Sequence, residues 1–351
     1  MENSDLNTVT GYLGTYSSPS SEGIYRFTLD KASGILTGPD LFYKLPDCKY
    51  LSLSSNQLAA PVSTQEAAGI TLIDIGGDEP SLIDDLYEEE QTACFVTQVE
   101  DFIYTANYHQ GLVLIYKKTD TGLALHKRIE IAPGAGCHQV LLHEHYILVP
   151  CLLKDEIRIF DRDRDYCPAG SIFFQPGTGP RHGIFTKDHR YLFVVSELSN
   201  ELYVYRLENT VNPAELSPDN SSEEGIRMTM LSVTPLLSRE QTGNSPAAPA
   251  SAAIRFSPDE RHLYVSTRFT EIISVFRVHE GQVTLVQQTG SGGTHPRDIV
   301  ITEDGTFLLA ANRTKGGLVC FPVDPDNGMI GPECSRIPAP EAVSIVLDET
   351  N

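Results

Sequence analysis

The chain has 351 residues, enough for about two average domains or for one large β architecture. Its formal charge is −21, from 26 Lys and Arg against 47 Asp and Glu, so repulsion argues against nucleic acid or an anionic membrane as a partner. Hydrophobic residues make up 40% of the chain, which excludes general disorder, and no apolar run approaches the roughly 20 residues that span a bilayer.

Short β-strands are predicted along the whole chain, because runs rich in Val, Ile, Tyr and Phe alternate with Gly, Asp, Asn and Pro. The runs come in pairs. In chain order these are residues 9–13 and 24–27, 58–61 and 70–73, 102–105 and 114–116, 146–149 and 157–160, 190–195 and 201–205, 261–266 and 272–276, and 306–311 and 318–321, followed by a single run at 342–347. The four clearest pairs repeat at shifts of 45 residues, apart from one shift of 71.

A period near 45 residues with several strands in each repeat is typical of the blades of a β-propeller. The single run at 342–347 resembles the first strand of a blade whose next two strands are 9–13 and 24–27. We therefore predict an all-β, seven-bladed β-propeller, with residues 1–351 as one domain and the ring closed by N- and C-terminal strands in one blade. The chain contains no Trp, which excludes the Trp-Asp signature of WD40 repeats. An open solenoid, the alternative, would need capping ends.

The 71-residue shift exceeds the period by about 26 residues, which predicts an insertion within about 208–249. This stretch is rich in Pro, Ser, Asn and acidic residues, as surface loops are. We expect a long surface loop; the alternative is a lid over one face of the ring.

The polar residues of interest fall at matching positions of several repeats. Because the first two strands of a blade are antiparallel, the start of the first and the end of the second lie at one face, here called the mouth. Arg181 and Arg297 occupy the start position, and Glu197, Arg268 and Arg313 occupy the end position. Three further residues fall within two positions of these: His138, His182 and Asn107.

Several arginines at one mouth of an acidic protein point to an anionic ligand, since guanidinium groups match carboxylate and phosphate oxygens. We expect a small anionic molecule as the ligand, with Arg297, Arg313, His182 and Asn107 as substrate-binding residues. The alternative is that the arginines pair with neighbouring aspartates such as Asp298.

The seven cysteines are never closer than 14 residues, which excludes CxxC metal and redox motifs. The N-terminus lacks the pattern of a secretory signal, so we expect a cytoplasmic protein with free thiols. No metal site and no cofactor are predicted. Because no Gly-x-Ser-x-Gly motif occurs, a covalent serine route is not expected either.

Several segments match a known family in the expected order. They are Gly14-Thr15-Tyr16, Gly136-Cys137-His138, Gly177-Thr178-Gly179-Pro180-Arg181-His182, Ser196-Glu197-Leu198, Ser266-Thr267-Arg268 and Pro296-Arg297-Asp298. With these, the chain resembles the seven-bladed-propeller lactonases, the bacterial-type 6-phosphogluconolactonases, across almost its whole length.

The resemblance implies a metal-independent hydrolase that opens 6-phosphoglucono-1,5-lactone, a small anionic sugar lactone, to 6-phosphogluconate in the pentose phosphate pathway. It also implies an active cluster of His138, Arg181, Glu197 and Arg268, which match polar residues shared with the related fungal muconate cycloisomerases. Ring opening needs a base, an oxyanion partner and a proton donor. Either Glu197 or His138 can be the base, and Arg268 or Arg181 can stabilise the oxyanion. Two alternatives remain: a muconate-type cycloisomerase, and a propeller that only binds a partner.

Overall fold

Seven separate four-stranded antiparallel sheets make up the described part of the chain, residues 7–208 and 226–349 of a computed structural model. Blade 1 contains β1 (Thr8–Thr15), β2 (Gly23–Asp30), β3 (Leu36–Lys44) and, from the other end of the chain, β28 (Ala342–Asp348). Blade 2 contains β4 (Ser52–Ser54), β5 (Gln57–Ser63), β6 (Ala68–Asp74) and β7 (Ser81–Glu89). Blade 3 contains β8 (Phe95–Val99), β9 (Phe102–Asn107), β10 (Leu112–Thr119) and β11 (Gly122–Glu130).

The remaining four blades follow in chain order. Blade 4 contains β12 (Leu141–His143), β13 (Tyr146–Cys151), β14 (Glu156–Asp161) and β15 (Cys167–Phe173), with a short 3-10 turn at Leu152–Lys154. Blade 5 contains β16 (Pro180–Phe185), β17 (Tyr191–Ser196), β18 (Glu201–Glu208) and β19 (Arg227–Pro235), followed by α1 (Arg239–Gly243). Blade 6 contains β20 (Ala250–Phe256), β21 (His262–Arg268), β22 (Ile272–His279) and β23 (Gln282–Gly290). Blade 7 contains β24 (Thr294–Ile301), β25 (Phe307–Lys315), β26 (Gly317–Pro322) and β27 (Ser335–Ile337).

The first strands of neighbouring blades contact one another around a central axis, as β20 does with β24 and β24 with β28. The strand β28 pairs with β1 in antiparallel register, with Leu13 opposite Ile345. This pairing closes the ring by joining the two ends of the chain in one blade. The predicted seven-bladed propeller, with both chain ends in one blade, is confirmed.

Apolar side chains fill the spaces between the blades. Between blades 7 and 1, for example, Leu13, Phe27, Leu309 and Ile345 are buried in one cluster. Strands in the middle of a blade bury both faces, so β13 is buried along its whole length. This two-sided burial explains why second strands such as β13 and β17 read as nearly continuous apolar runs.

The described part of the predicted insertion, residues 226–249, contains regular secondary structure. Residues 209–225 lie outside the described residues, but β19 is the outer strand of blade 5 and pairs with β18 along its length. The expectation of one long surface loop is therefore wrong for this part. Outer strands bury little side-chain surface, and β19 contains no fully buried residue, so its sequence lacks the apolar pattern of an inner strand. Residues 236–249, which include α1, run along the mouth face towards β20.

Two expectations about the whole chain can be compared with the structure. All seven cysteines are free thiols, as predicted. Among the described residues, no helix has the length and apolar character needed to cross a membrane.

The closure of the ring gives a stability prediction. Ile345 is 4% exposed in the cluster between blades 7 and 1, so Ile345→Ala is expected to cost about 2–5 kcal/mol of unfolding free energy in urea denaturation. Leu41→Ala in β3 of the same blade is the control, since Leu41 is 40% exposed, and is expected to cost less than about 1 kcal/mol. Equal costs for the two variants would show that β28 contributes little to ring stability.

Candidate active site

The antiparallel pairs of the inner strands bring the predicted positions together. At the mouth end of blade 5, Pro180 in β16 lies opposite Ser196 in β17, and in blade 6 Ala250 lies opposite Arg268. Arg181 and Glu197 therefore meet at one end of blade 5, beside Arg268 of blade 6.

A glycine-containing turn sets the position of Glu197. Gly177 and Gly179 both have positive φ angles, 84° and 63°, and both donate their N–H groups to the Asp155 carboxylate. A Cβ atom on Gly179 would lie 2.6 Å from Leu198, so the turn requires glycine there. The Gly179 carbonyl then accepts a hydrogen bond from the Glu197 N–H at 2.8 Å.

Two arginines share one oxygen of Glu197. Arg181 donates from Nε to Glu197 Oε2 at 2.8 Å, and Arg268 Nη2 lies 2.7 Å from the same oxygen. Both guanidinium groups are buried and also donate to backbone carbonyls, Arg181 to Ala252 and Arg268 to Ala250. The Glu197 side chain is 20% exposed, and its Oε1 makes no hydrogen bond with the described residues. The cluster is therefore rigid on one side and open on the other.

The charges of this cluster, together with its burial, shift the pKa values of its side chains. Burial raises the pKa of Glu197, but Arg181 and Arg268 more than offset this, so the pKa lies below its usual value. Burial lowers the pKa of Arg181 to about 10 against the attraction of Glu197. At neutral pH Glu197 is ionised and both arginines are charged.

Two buried histidines lie against this cluster. His138 Nδ1 is 3.1 Å from His182 Nε2, and His182 Nδ1 has no hydrogen-bond partner among the described residues. Burial lowers the pKa of both imidazoles, and the positive charge of Arg181 lowers it further. Both are neutral at neutral pH. The ring of Tyr108 packs edge-on against His138.

Arg297 and Arg313 both lie close to the aromatic ring of Tyr16. Arg313 is 4.4 Å from the ring centre of Tyr16 and pairs with Glu341 at 2.7 Å. Arg297 is 5.9 Å from the same ring centre and donates to the Tyr16 hydroxyl at 3.2 Å. Lys49, from the connection between blades 1 and 2, approaches the ring at 5.8 Å.

Two other predicted contacts differ from expectation. The amide of fully buried Asn107 donates to Glu89, Gln91 and Gln110, so it is used in contacts between blades 2 and 3 and in the turn after β9. Asp298 pairs with Arg255 at 2.8 Å. The alternative that the mouth arginines pair with neighbouring aspartates such as Asp298 is therefore wrong: Arg181 and Arg268 pair with Glu197, and Arg313 with Glu341.

A family model described as "Lactonase, 7-bladed beta-propeller" matches residues 10–347. The chain belongs to this lactonase family. The 6-phosphogluconolactonase of Bacillus subtilis is 30% identical over 96% of this chain and 98% of its own. Among solved structures, the periplasmic gluconolactonase PpgL of Pseudomonas aeruginosa has a TM-score of 0.84 at 21% identity, covering 98% of this chain and all of its own. A protein from Lactobacillus plantarum has a TM-score of 0.85 at 24% identity, covering 97% and 100%.

Sequence reasoning missed several side chains at the mouth of this lactonase-family propeller. Tyr16 and Tyr108 directly follow the second strands of their blades, as Glu197 does, so the rule that located Glu197 also applies to them. Lys49 lies in a connection between blades, so the alignment of the strand repeats assigns it no position. His295 has a φ of 64°, unusual for a residue other than glycine, and its buried Nε2 has no partner among the described residues. Burial and the nearby arginines lower the pKa of His295 to about 4.

The neutral histidines give a pH-dependent stability prediction. Because the folded pKa of His182 lies below that of the unfolded chain, only the unfolded chain takes up this proton as the pH falls below about 6.5. The contribution of His182 to the free energy of unfolding is complete above that pH. It is lost as the pH falls towards the folded pKa, and the free energy of unfolding then decreases by about 1.4 kcal/mol per pH unit. Urea denaturation between about pH 7 and pH 5 should show a shallower slope for His182→Gln than for the wild type.

The exposed His279 supplies the control for this experiment. His279→Gln should leave the slope of the wild type unchanged. An equal slope in wild type and His182→Gln would show that His182 is protonated in the folded protein.

Proposed function

We propose that the protein hydrolyses 6-phosphoglucono-1,5-lactone to 6-phosphogluconate, the reaction of the pentose phosphate pathway. The observation that carries this proposal is the Glu197 carboxylate held by Arg181 and Arg268 at the mouth. Membership of the lactonase family and the likeness to the Bacillus subtilis 6-phosphogluconolactonase support it.

Glu197 is the proposed base. Its Oε2 is occupied by the two arginines, which leaves Oε1 to accept a proton from a water molecule that attacks the lactone carbonyl carbon. Protonating His138 instead would place a positive charge on a fully buried imidazole beside Arg181 and Arg297, so His138 is the weaker candidate.

Arg181 and Arg268 are proposed to stabilise the negative charge that develops on the lactone carbonyl oxygen. Arg181 uses Nε and Nη1, and Arg268 uses Nε and Nη2, in their hydrogen bonds to the protein, so each keeps a terminal nitrogen without a protein partner in the described part of the chain. These nitrogens can donate to the carbonyl oxygen as it becomes an oxyanion.

Collapse of the tetrahedral intermediate breaks the bond between the carbonyl carbon and the ring oxygen. The proton that Glu197 took from water passes to this leaving oxygen, which becomes a hydroxyl group, and Glu197 returns to its ionised form. A depressed pKa makes Glu197 a modest base but a good proton donor in this second step. Neutral His138 is proposed to hydrogen-bond the substrate through Nε2, because its Nδ1 is engaged by His182.

Removing the base should slow turnover without disturbing the fold. We expect Glu197→Gln to lower kcat by about 10²–10⁴-fold, as is usual for loss of a general base. Glu201→Gln is the matched control, since Glu201 begins β18 of the same blade and hydrogen-bonds Tyr203. The measurement is steady-state kinetics on the lactone, with circular dichroism to check folding. Near-wild-type turnover by Glu197→Gln would remove Glu197 from the mechanism.

The function itself is tested by assaying the purified protein with three substrates: 6-phosphogluconolactone, gluconolactone and a muconate. The proposal expects the phosphorylated lactone to have the highest kcat/KM. Turnover of the muconate alone would instead assign a cycloisomerase, and no turnover of any of the three would favour a propeller that only binds a partner.

A further inference from the structure

A small cavity lies at the mouth on the axis of the ring. It is lined by Tyr16, Lys49, Tyr50, Arg181, His182 and Arg297, among others, and none of its lining residues is acidic. The space that these side chains enclose is about the size of one water molecule. Three cations therefore surround a space that can admit a ligand oxygen.

Two of these cations have no counter-ion. Within residues 7–208 and 226–349, Lys49 and Arg297 form no salt bridge, whereas Arg181 pairs with Glu197. Both are held beside Tyr16, at 5.8 and 5.9 Å from its ring centre, and the Tyr16 hydroxyl accepts from Arg297. Because both cations line the same cavity and neither has an acid partner there, an anion in the cavity would reduce the repulsion between them.

Arg313 differs from Lys49 and Arg297 in its charge partner and in its position relative to the cavity. It stacks on Tyr16 but pairs with Glu341, and it does not line the cavity. Its charge is already compensated within the protein. His182 also lines the cavity, and its buried Nδ1 has no hydrogen-bond partner among the described residues. The cavity wall therefore includes a polar atom whose hydrogen bond is not satisfied.

We propose that Lys49 and Arg297 form a subsite for a phosphate dianion, with one phosphate oxygen in the axial cavity beside Arg181. Two uncompensated charges match a phosphate monoester, which carries about −1.5 to −2 at neutral pH, better than a single carboxylate. In this arrangement Arg181, which lines the cavity and pairs with Glu197, connects the subsite to the proposed base. The role of the subsite in catalysis rests on the proposed function; the binding of phosphate does not.

Inorganic phosphate tests the subsite without any reaction. Titration calorimetry at low salt should detect phosphate binding to the wild type and a loss of at least about tenfold in affinity for Lys49→Met, as expected for a charge-assisted contact. Lys44→Met is the matched control, because Lys44 ends β3, is highly exposed and pairs with Glu22. It should bind phosphate like the wild type. Failure of the wild type to bind phosphate, or equal affinity in Lys49→Met, would overturn the subsite.

Kinetics separates this inference from the proposed function. Lys49→Met should raise KM for 6-phosphogluconolactone about tenfold or more while leaving gluconolactone nearly unchanged, and Arg313→Met should have a smaller effect than Lys49→Met. If Lys49→Met affects both lactones equally, the subsite is wrong and the lactonase proposal stands. If phosphate binding depends on Lys49 but no phosphorylated lactone is hydrolysed, the subsite stands as a site for free phosphate or another phosphate monoester, and the proposed substrate is wrong.

Discussion

Antiparallel pairing within a closed ring of seven sheets determines where the proposed catalytic side chains lie. Since the first strand of a blade starts where the second ends, His138 of blade 4, Arg181 and Glu197 of blade 5, and Arg268 of blade 6 meet at one face although 130 residues of chain separate the first from the last. The pairing of β28 with β1 completes the ring and brings Tyr16 into the same group. The site therefore depends on closure of the ring.

The electrostatics of the mouth are opposite to those of the whole molecule. A chain of formal charge −21 collects lysine and arginine at one face and compensates them only in part, through Glu197 and Glu341. The same charges keep Glu197 ionised, and burial together with these charges lowers the pKa of His138 and His182 so that both stay neutral. A local positive field inside an acidic protein attracts a small anion while the remainder of the surface repels nucleic acid and other large polyanions. This division of charge is compatible with the proposed anionic substrate although the protein as a whole is strongly acidic.

The strand repeats predicted the fold because inner strands, buried on both faces, leave apolar runs that can be aligned with one another. The outer strand β19 was missed since it buries little side-chain surface. Counting positions along the repeats located Arg181, Glu197 and Arg268 but selected Asn107, which hydrogen-bonds to Glu89 of blade 2 and to the neighbouring connections. In a strand, a shift of one residue turns a side chain to the opposite face, and it is the next residue, Tyr108, that packs on His138. Lys49 and Glu341 lie in connections between strands, where the repeat gives no register.

The central claim is that one substrate spans the mouth, with its reacting carbon at Arg181, Glu197 and Arg268 and its anionic end at Lys49 and Arg297. A crystal structure of the protein with the product 6-phosphogluconate tests this most directly. The account predicts the product carboxylate within hydrogen-bond distance of Arg181 or Arg268 and the phosphate in contact with Lys49 and Arg297. Product bound in the reverse orientation, or in the separate cavity that Leu198, Asn200 and Pro249 line beside α1, would contradict it.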